Sequence, residues 1–255
     1  MTVHPFVKTA CSDFLARRGF GAPPSSLLPA VCLLAVCLSA PAASATETVP
    51  FASGETLVYE ITWPSGLSLG EVEFQANGVT GGWEFRARIN ATLPNFEVRD
   101  EYRARTDGEL CSLELEKSFV HGGTLGQETV EFDQANRRAH RKTKNGGDSE
   151  FDVPPCARDG LTFLYLLRAE IGRGRIPPPD DVNFGAQYQV SMTYAETLDL
   201  PVAGESVKSD RILIDLTGPA SQRSFEVFFT QDSARTPVLI RIPFELGTFS
   251  LKLVK

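Results

Sequence analysis

The sequence predicts a mostly β protein with a strongly curved antiparallel sheet or open β-barrel of about ten to twelve strands, on which one apolar α-helix packs. Three observations support this prediction. Apolar and polar residues alternate along many short runs, which is typical of strands with one buried face. Turn-forming residues separate the runs, and a single stretch near the middle is apolar at almost every position. The clearest alternating runs are 57–63, 130–133, 189–194, 225–229, 238–242 and 249–253.

Residues 1–45 have the three parts of a cleavable secretory signal peptide. The apolar run 27–38 is shorter than the roughly 20 residues that span a bilayer, and Pro29 disfavours the alternative of a buried N-terminal helix. We therefore expect cleavage near Ala45 and a periplasmic or secreted mature protein, 46–255, with one β-rich domain and no transmembrane segment. The general-secretory and twin-arginine routes both stay open. The three parts are a basic start with Lys8, Arg17 and Arg18, the apolar run, and an Ala-Ser-Ala triplet that ends at Ala45.

The mature chain is acidic. Cleavage after residue 45 removes three of the 25 basic residues and one of the 32 acidic residues, which leaves 22 − 31 = −9 as the net charge. A surface of this charge repels phosphate backbones and anionic membranes. The composition therefore argues against a nucleic acid as partner.

Two cysteines, Cys111 and Cys156, remain after cleavage. An even pair in an oxidising compartment indicates a disulfide, although two free thiols are the alternative. A metal site is disfavoured because no histidine or further cysteine lies at ligand spacing from either residue. We expect the bridge to hold the start of the apolar helix against the strand near Cys111.

The apolar stretch from Asp159 to Gly172 predicts a helix of about three turns, with a capping acid at its start and a glycine at its end. A helix that is apolar all round is buried, so we place it on the concave face or at the mouth of the sheet. Its polar residues Asp159, Tyr165 and Arg168 need partners there. They are either buried groups that fix the helix to the sheet or candidate ligand-binding residues. An exposed loop with Pro177, Pro178 and Pro179 follows the helix.

The sequence contains no motif of a nucleophilic, metal-dependent or nucleotide-binding enzyme. His121 has no carboxylate or cysteine near it in the sequence and is interpreted as a structural or solvent-facing residue. His140 lies in the basic patch 137–142, which is interpreted as a solvated strand and hairpin tip, with an anion site as the alternative. Between two strands, Asp232 is expected to cap a turn and Arg235 to pair locally. We therefore assign no catalytic residue, no metal and no cofactor. The sequence leaves enzymatic activity undecided and favours a protein that is not an enzyme.

The chain contains an ordered set of motifs at 51–61, 70–72, 159–168, 202–205, 232–238 and 246–253. Together they resemble DUF3108, a family of bacterial exported proteins of unknown function. The resemblance spans roughly residues 50–255, and the helix from Asp159 to Arg168 is its most characteristic part. It implies an exported β protein and no established activity, so it supplies no catalytic residues.

Three functions fit these observations. The leading one is a non-catalytic cell-envelope protein that binds an apolar or amphipathic, lipid-like ligand beside the helix. The alternatives are a structural module that binds an envelope protein through a strand edge or the proline loop, and an unrecognised hydrolase that uses acids on the sheet. The ligand hypothesis rests on many aromatics without a reactive cluster, although these could equally fill the core: Phe74, Phe85, Phe96, Phe132, Tyr188 and Phe228.

Overall fold

Fifteen strands and one helix make up the structure, a computed structural model that describes residues 49–93, 96–144, 146–219, 221–244 and 247–255. The predicted signal peptide, 1–45, lies outside the described residues. The elements are β1 (Glu55–Thr62), β2 (Ser68–Val79), β3 (Gly82–Leu93), β4 (Phe96–Asp107), β5 (Ser112–His121), β6 (Thr124–Asp133), β7 (Arg138–Thr143), β8 (Asp148–Asp152), β9 (Arg158–Asp159), α1 (Gly160–Gly172), β10 (Asp180–Asn183), β11 (Gln187–Val202), β12 (Glu205–Thr217), β13 (Gln222–Thr230), β14 (Pro237–Phe244) and β15 (Gly247–Leu253).

All strands belong to one sheet in the order β8-β7-β6-β5-β4-β3-β2-β1-β15-β14-β13-β12-β11-β10-β9. Neighbouring strands are antiparallel, apart from the parallel pair β9 and β10. Strand β1 pairs with β15, so the sheet has two arms that meet where the first and last strands lie side by side. Strands β8 and β9 end the order, and the sheet is not closed.

The mostly β, antiparallel class is confirmed, whereas the predicted count of ten to twelve strands is wrong. Part of the difference comes from short strands, because β8, β9 and β10 have five, two and four residues. Such lengths are too short to show an alternating pattern. Strand β9 also directly precedes the helix, in a segment that the sequence pattern assigns to the helix start.

Helix α1 lies between the two arms, on the inner face of the sheet. Phe163, Leu167 and Ile171 pack in a core cluster with residues of β10 to β14. Tyr165 and Ala169 pack in a second cluster with residues of β2, β3 and β4. Because these strands are far apart in the sheet order and contact different sides of one helix, the sheet must curve around the helix. The predicted packing of an apolar helix on a curved sheet is therefore observed.

The disulfide Cys111–Cys156 is confirmed, with a Cα–Cα distance of 4.7 Å. Cys111 follows the turn after β4, and Cys156 lies just before β9 and the helix. The bond therefore holds the start of α1 to the β4–β5 connection, as predicted. In the proline loop that follows helix α1, Pro177 is buried, whereas Pro178 and Pro179 are exposed. Among the described residues, no helix combines the length and apolar character needed to span a bilayer.

Candidate functional site

A cavity of about 430 Å³, here called the helix cavity, lies between α1 and the inner face of the sheet. Its volume falls within the range of roughly 300–1,000 Å³ that is usual for small-molecule sites. Both arms of the sheet contribute apolar side chains, and the helix supplies further ones. Representative apolar lining residues are Phe74 and Ile89 from one arm, Phe225 and Ile240 from the other, and Leu161 and Leu164 from the helix.

One face of α1 is left open to this cavity. Leu161 and Leu164 are only half-buried, whereas Phe163, Tyr165 and Leu167 are buried in the core. Residues three positions apart share one side of a helix, so the two leucines form one apolar strip along the cavity. The helix is thus buried on two sides and incompletely covered on a third.

Polar side chains from β4 to β7 line one side of the helix cavity, and we call Tyr102, Lys117, Glu128 and Arg141 the charged mouth. Tyr102 is the cross-strand partner of Lys117, and Lys117 is the partner of Glu128. Arg141 Nη2 donates to Glu128 Oε2 at 2.6 Å. The Lys117 ammonium lies 5.4 Å from the centre of the Tyr102 ring. The mouth therefore contains two cations and one carboxylate.

Tyr102 is a neutral hydrogen-bond donor in this surrounding. Burial raises the pKa of its phenol well above the ordinary value, and the neighbouring Asp100 carboxylate raises it further. The Tyr102 hydroxyl donates to Asp100 Oδ2 at 3.3 Å, and Asp100 Oδ1 lies 2.7 Å from His121 Nε2. Asp100 and His121 therefore already have each other as partners.

Asp159 caps the helix and is completely buried. Its Oδ1 accepts hydrogen bonds from the N–H groups of Leu161 and Thr162 at 2.9 and 3.0 Å. Its Oδ2 accepts from Ser112 Oγ at 2.6 Å and from Thr162 Oγ1 at 2.7 Å. The residue lines the helix cavity, but four protein donors already occupy its carboxylate.

Arg168 is 1% exposed and reaches the start of β1. Its Nη2 donates to Glu55 Oε2 at 2.9 Å, and its Nη1 makes a second bond to the same carboxylate. The guanidinium Nε donates to the Ala234 carbonyl at 2.9 Å. The expectation that Arg168 takes its partner from the sheet is therefore met by Glu55.

Tyr165 stacks on Phe85 with ring centres 3.9 Å apart and meets Phe51 edge-on at 5.1 Å. Burial raises the pKa of its phenol, and its hydroxyl has no hydrogen-bond partner within the described part of the chain. Tyr165 and Arg168 border a separate void of only about 10 Å³ and do not line the helix cavity. Of the three predicted ligand-binding residues, only Asp159 lies at the cavity, and the ligand-binding role of all three stays a prediction.

The sequence interpretation missed the charged mouth, although a signal for it exists. In the run from Leu115 to Phe119, Lys117 is in phase with the two apolar residues and so points to the inner face. Glu128 is likewise in phase with Val130 and Phe132. A charge at an inward position of an alternating strand is a sign of a functional cavity or a buried ion pair.

The remaining candidate residues have local structural partners. His140 contacts Asp148 on the neighbouring strand β8. Asp232 caps its turn as expected, because its Oδ1 accepts from the N–H groups of Ala234 and Arg235. Arg235 pairs locally as expected, since its Nη1 donates to the Thr230 carbonyl at 3.3 Å, and it also reaches Asp210 Oδ2 on β12 at 2.9 Å. Among the residues described, no group of three or more His, Cys, Asp or Glu side chains is placed to hold a metal.

The aromatics that suggested a ligand site have different roles. Phe74 lines the helix cavity. Phe85, Phe132 and Phe228 are buried core residues, and Phe96 is 45% exposed. Most of these aromatics therefore fill the core or lie at the surface, and the case for a ligand rests on the cavity itself.

Comparison with known proteins gives one family and several similar folds. The family model described as "Protein of unknown function (DUF3108)" matches residues 58–254. A β-barrel-like protein of the domain of unknown function DUF1849, from Brucella abortus, has a TM-score of 0.58 at 10% identity, over 78% of this chain and 95% of that chain. This likeness shows the fold alone. No curated protein matches the chain.

Two further solved structures are similar at lower TM-scores. A candidate exported protein with a YmcC-like fold, from Bacteroides fragilis, has a TM-score of 0.32 at 10% identity, over 81% of this chain and 98% of that chain. A DUF1089 family protein from Pseudomonas aeruginosa has a TM-score of 0.29 at 12% identity, over 72% of this chain and 88% of that chain. At these scores neither structure supports an inference about function.

Proposed function

Since the chain belongs to the DUF3108 family, which is described as being of unknown function, its role has to follow from its own site, and we propose that it binds an apolar or amphipathic, lipid-like molecule in the helix cavity. The protein is then a non-catalytic binding protein of the cell envelope. Export with cleavage near Ala45, and a single mature domain of residues 46–255, are part of this proposal and rest on the sequence of the leader.

The observation that carries the proposal is the open apolar strip of Leu161 and Leu164 above a cavity of about 430 Å³. When an apolar molecule displaces the water that borders apolar side chains, the free energy of the system falls, and this fall favours binding. Each methylene group transferred from water contributes about 0.8 kcal/mol. A chain of several methylene groups in this cavity would therefore bind with measurable affinity.

The hydrolase alternative finds less support at this site. Two carboxylates, Glu128 and Asp159, line the helix cavity. Arg141 binds the first, and the helix cap and Ser112 occupy the second. Paired carboxylates in glycoside hydrolysis need one group that is free to give a proton and one that is free to act as base or nucleophile. Neither residue is placed for these roles.

The partner-binding alternative would use an exposed strand edge, and β8 ends one arm of the sheet. This strand carries Asp148, Glu150 and Asp152, and all three are exposed. Charged residues on an edge strand discourage the addition of a further strand. The charged residues of β8 therefore protect this edge against pairing with a strand of another protein, which disfavours it as a partner-binding edge.

The experiment that tests ligand binding is a titration of the mature protein with a series of straight-chain primary alcohols, followed by calorimetry. Alcohols carry no charge, so the series measures the apolar contribution alone. We expect the affinity to rise about fourfold for each added methylene until the cavity is filled. Native mass spectrometry of protein purified from an envelope fraction would show whether a natural ligand co-purifies.

A blocking variant makes this test specific to the cavity. Ala87 lies on the inner face of β3, opposite Phe74 and Tyr102, and lines the cavity, so Ala87→Phe fills part of it. The matched control is Ala195→Phe at an exposed position on β11. We expect the first variant to lose alcohol binding and the second to bind like the wild type. No binding by the wild type, or equal binding by both variants, would overturn the proposal.

A further inference from the structure

We propose that the ligand of the helix cavity is a single-chain amphiphile with an anionic head, and that Lys117 and Arg141 bind this carboxylate or phosphate at the charged mouth. The inference rests on the proposed function and names the chemical class of its ligand. The chain of the amphiphile would lie along Leu161 and Leu164, with its head against β5 and β7.

Lys117 is a cation without an anionic partner in the described part of the chain. It lies on the inner face of β5, is half-buried and lines the helix cavity. Its ammonium rests 5.4 Å from the Tyr102 ring and 5.1 Å from the Phe119 ring, and no carboxylate of the described residues forms a salt bridge with it. A charge removed from part of its water is costly unless an opposite charge compensates it. A ligand anion at the cavity would supply that charge.

Arg141 has a donor left over after pairing with Glu128. Its Nη2 binds the Glu128 carboxylate, but its Nε is buried without a hydrogen-bond partner among the described residues. A guanidinium has five N–H donors in a fixed plane and binds planar oxyanions through two of them. Glu128 therefore leaves part of the guanidinium unused, and the Arg141 side chain, which is 38% exposed, lines the same cavity as Lys117.

The balance of charge at the mouth favours an anion over other head groups. Its two cations face one carboxylate, Glu128, which Arg141 already binds. The nearby Asp100 is occupied by His121 and Tyr102, and Asp159 by the helix cap. A cationic head would meet Lys117 and Arg141 without a free carboxylate, and a neutral head would leave the Lys117 charge uncompensated. The cavity lining as a whole holds two cations and two carboxylates, so the preference for an anion comes from Lys117, whose charge has no salt-bridge partner among the described residues, and not from an excess of positive charge.

The polarity of the cavity also excludes a small free anion as the best fit. The cations lie on one side of the lining, while the helix and the strands β12 to β14 supply apolar side chains such as Ile214 and Phe225. A phosphate or acetate ion would satisfy the charged mouth and leave the apolar strip in contact with water. A molecule with both an anionic head and an alkyl chain satisfies both parts.

The test compares three amphiphiles with different heads, decanoate, decanol and decyltrimethylammonium, titrated into the mature protein at neutral pH. Decanoate has one methylene fewer than the other two, so its chain cannot account for tighter binding. Inorganic phosphate serves as the free anion. A charge-assisted hydrogen bond is worth enough to make decanoate bind about tenfold more tightly than decanol. We expect decyltrimethylammonium to bind more weakly than decanol, and phosphate alone to bind at least a hundredfold more weakly than decanoate.

Three variants assign the preference to the charged mouth. Lys117→Met keeps the packing on Tyr102 and should remove most of the tenfold preference for decanoate while decanol binding stays within twofold. Glu128→Gln removes the negative charge and releases Arg141, so decanoate should bind several-fold more tightly. The matched control is Lys142→Met on the outer face of β7, where the side chain is exposed, and it should bind like the wild type.

The outcomes separate this inference from the proposed function. Equal binding of decanoate and decanol would overturn the anionic head and leave apolar ligand binding intact. Binding of none of the three amphiphiles would overturn both. Phosphate binding as tight as decanoate binding would overturn the amphiphile and indicate a free anion. A preference for decanoate that Lys117→Met leaves unchanged would show that the charged mouth does not bind the head.

Discussion

The ion pair between Arg168 and Glu55 is the contact through which helix α1 is fixed to the first strand, and its removal gives a direct test of how the fold is held together. Arg168→Met keeps the length of the side chain and removes the charge. The variant leaves the Glu55 carboxylate and the Ala234 carbonyl without their donor.

The size of the effect follows from burial. Removing one partner of a buried ion pair costs about 3–5 kcal/mol, because the other charge is left without compensation. The Arg168 side chain is 2% exposed but that of Glu55 is 18% exposed, so water can partly solvate the carboxylate. We therefore expect the lower end, about 3 kcal/mol. For a domain of about 200 residues this corresponds to a melting temperature lower by roughly 6–12 °C.

The assay is urea unfolding of the mature protein with its disulfide intact, together with a double-mutant cycle. Glu55→Gln and the double variant complete the cycle, and we expect a coupling free energy of at least about 1 kcal/mol. The control is Arg88→Met, since Arg88 pairs with Glu73 and Glu101 but is 44% exposed. An exposed pair of this kind contributes about 0–1 kcal/mol.

The reasoning would be refuted if Arg168→Met destabilised the protein no more than Arg88→Met does. It would also be refuted by a coupling free energy near zero, since Arg168 and Glu55 would then contribute independently. A loss shared equally by Arg168→Lys and Arg168→Met would show that the two-point geometry of the guanidinium matters more than the charge alone.

Three further predictions concern the same helix. Replacing Cys111 and Cys156 by serine should lower the free energy of unfolding by about 4 kcal/mol on the chain-entropy model, because the bond closes a loop of 45 residues. Urea unfolding measures this loss, and a loss below about 1 kcal/mol would contradict the prediction. Asp159→Ala should cost about 2–4 kcal/mol in the same assay through the lost cap and the unpaired hydroxyls, and Asp159→Asn should cost less. The pKa of the Glu170 carboxyl is lowered. The hydrogen bond from Arg175 is the largest cause, and it outweighs burial, which acts to raise the pKa. The stability that Glu170 adds is therefore fully present above its unfolded pKa of about 4.3 and is lost as the pH falls through the lower folded value, so Glu170→Gln should be destabilising at neutral pH and nearly neutral near pH 2.

The sheet class, the helix and the disulfide could be predicted because each depends on a local pattern. The helix runs over Gly160–Gly172 behind its Asp159 cap, close to the predicted limits. The disulfide could be predicted from the even number of cysteines in the expected mature chain and from the oxidising compartment that the leader implies. The pairing of β1 with β15 could not be predicted, since Tyr59 and Leu253 are far apart in the sequence and no local signal connects them.

The candidate site was harder to predict, because the helix that borders it is apolar on every side. The all-round apolar helix hides which of its leucines are left half-buried at the cavity, because Leu161 and Leu164 differ from the buried Leu167 only in what surrounds them in the fold. Tyr165 and Arg168 attract notice as polar residues on this helix, yet their contacts fix it to the sheet.

The charged mouth interrupts the pattern by which strands are recognised. On β5 and β6 the inward positions read Leu115, Lys117 and Phe119, then Glu128 and Val130, so the alternation of apolar and polar residues fails where the cavity is polar. A charge kept at an inward position costs free energy unless something compensates it. Arg141 forms an ion pair with Glu128, whereas the Lys117 ammonium forms no salt bridge with any described carboxylate, including the cross-strand Glu128, and rests beside two aromatic rings. The break in the strand pattern on β5 coincides with this cation, and a ligand anion would supply the charge that Lys117 lacks.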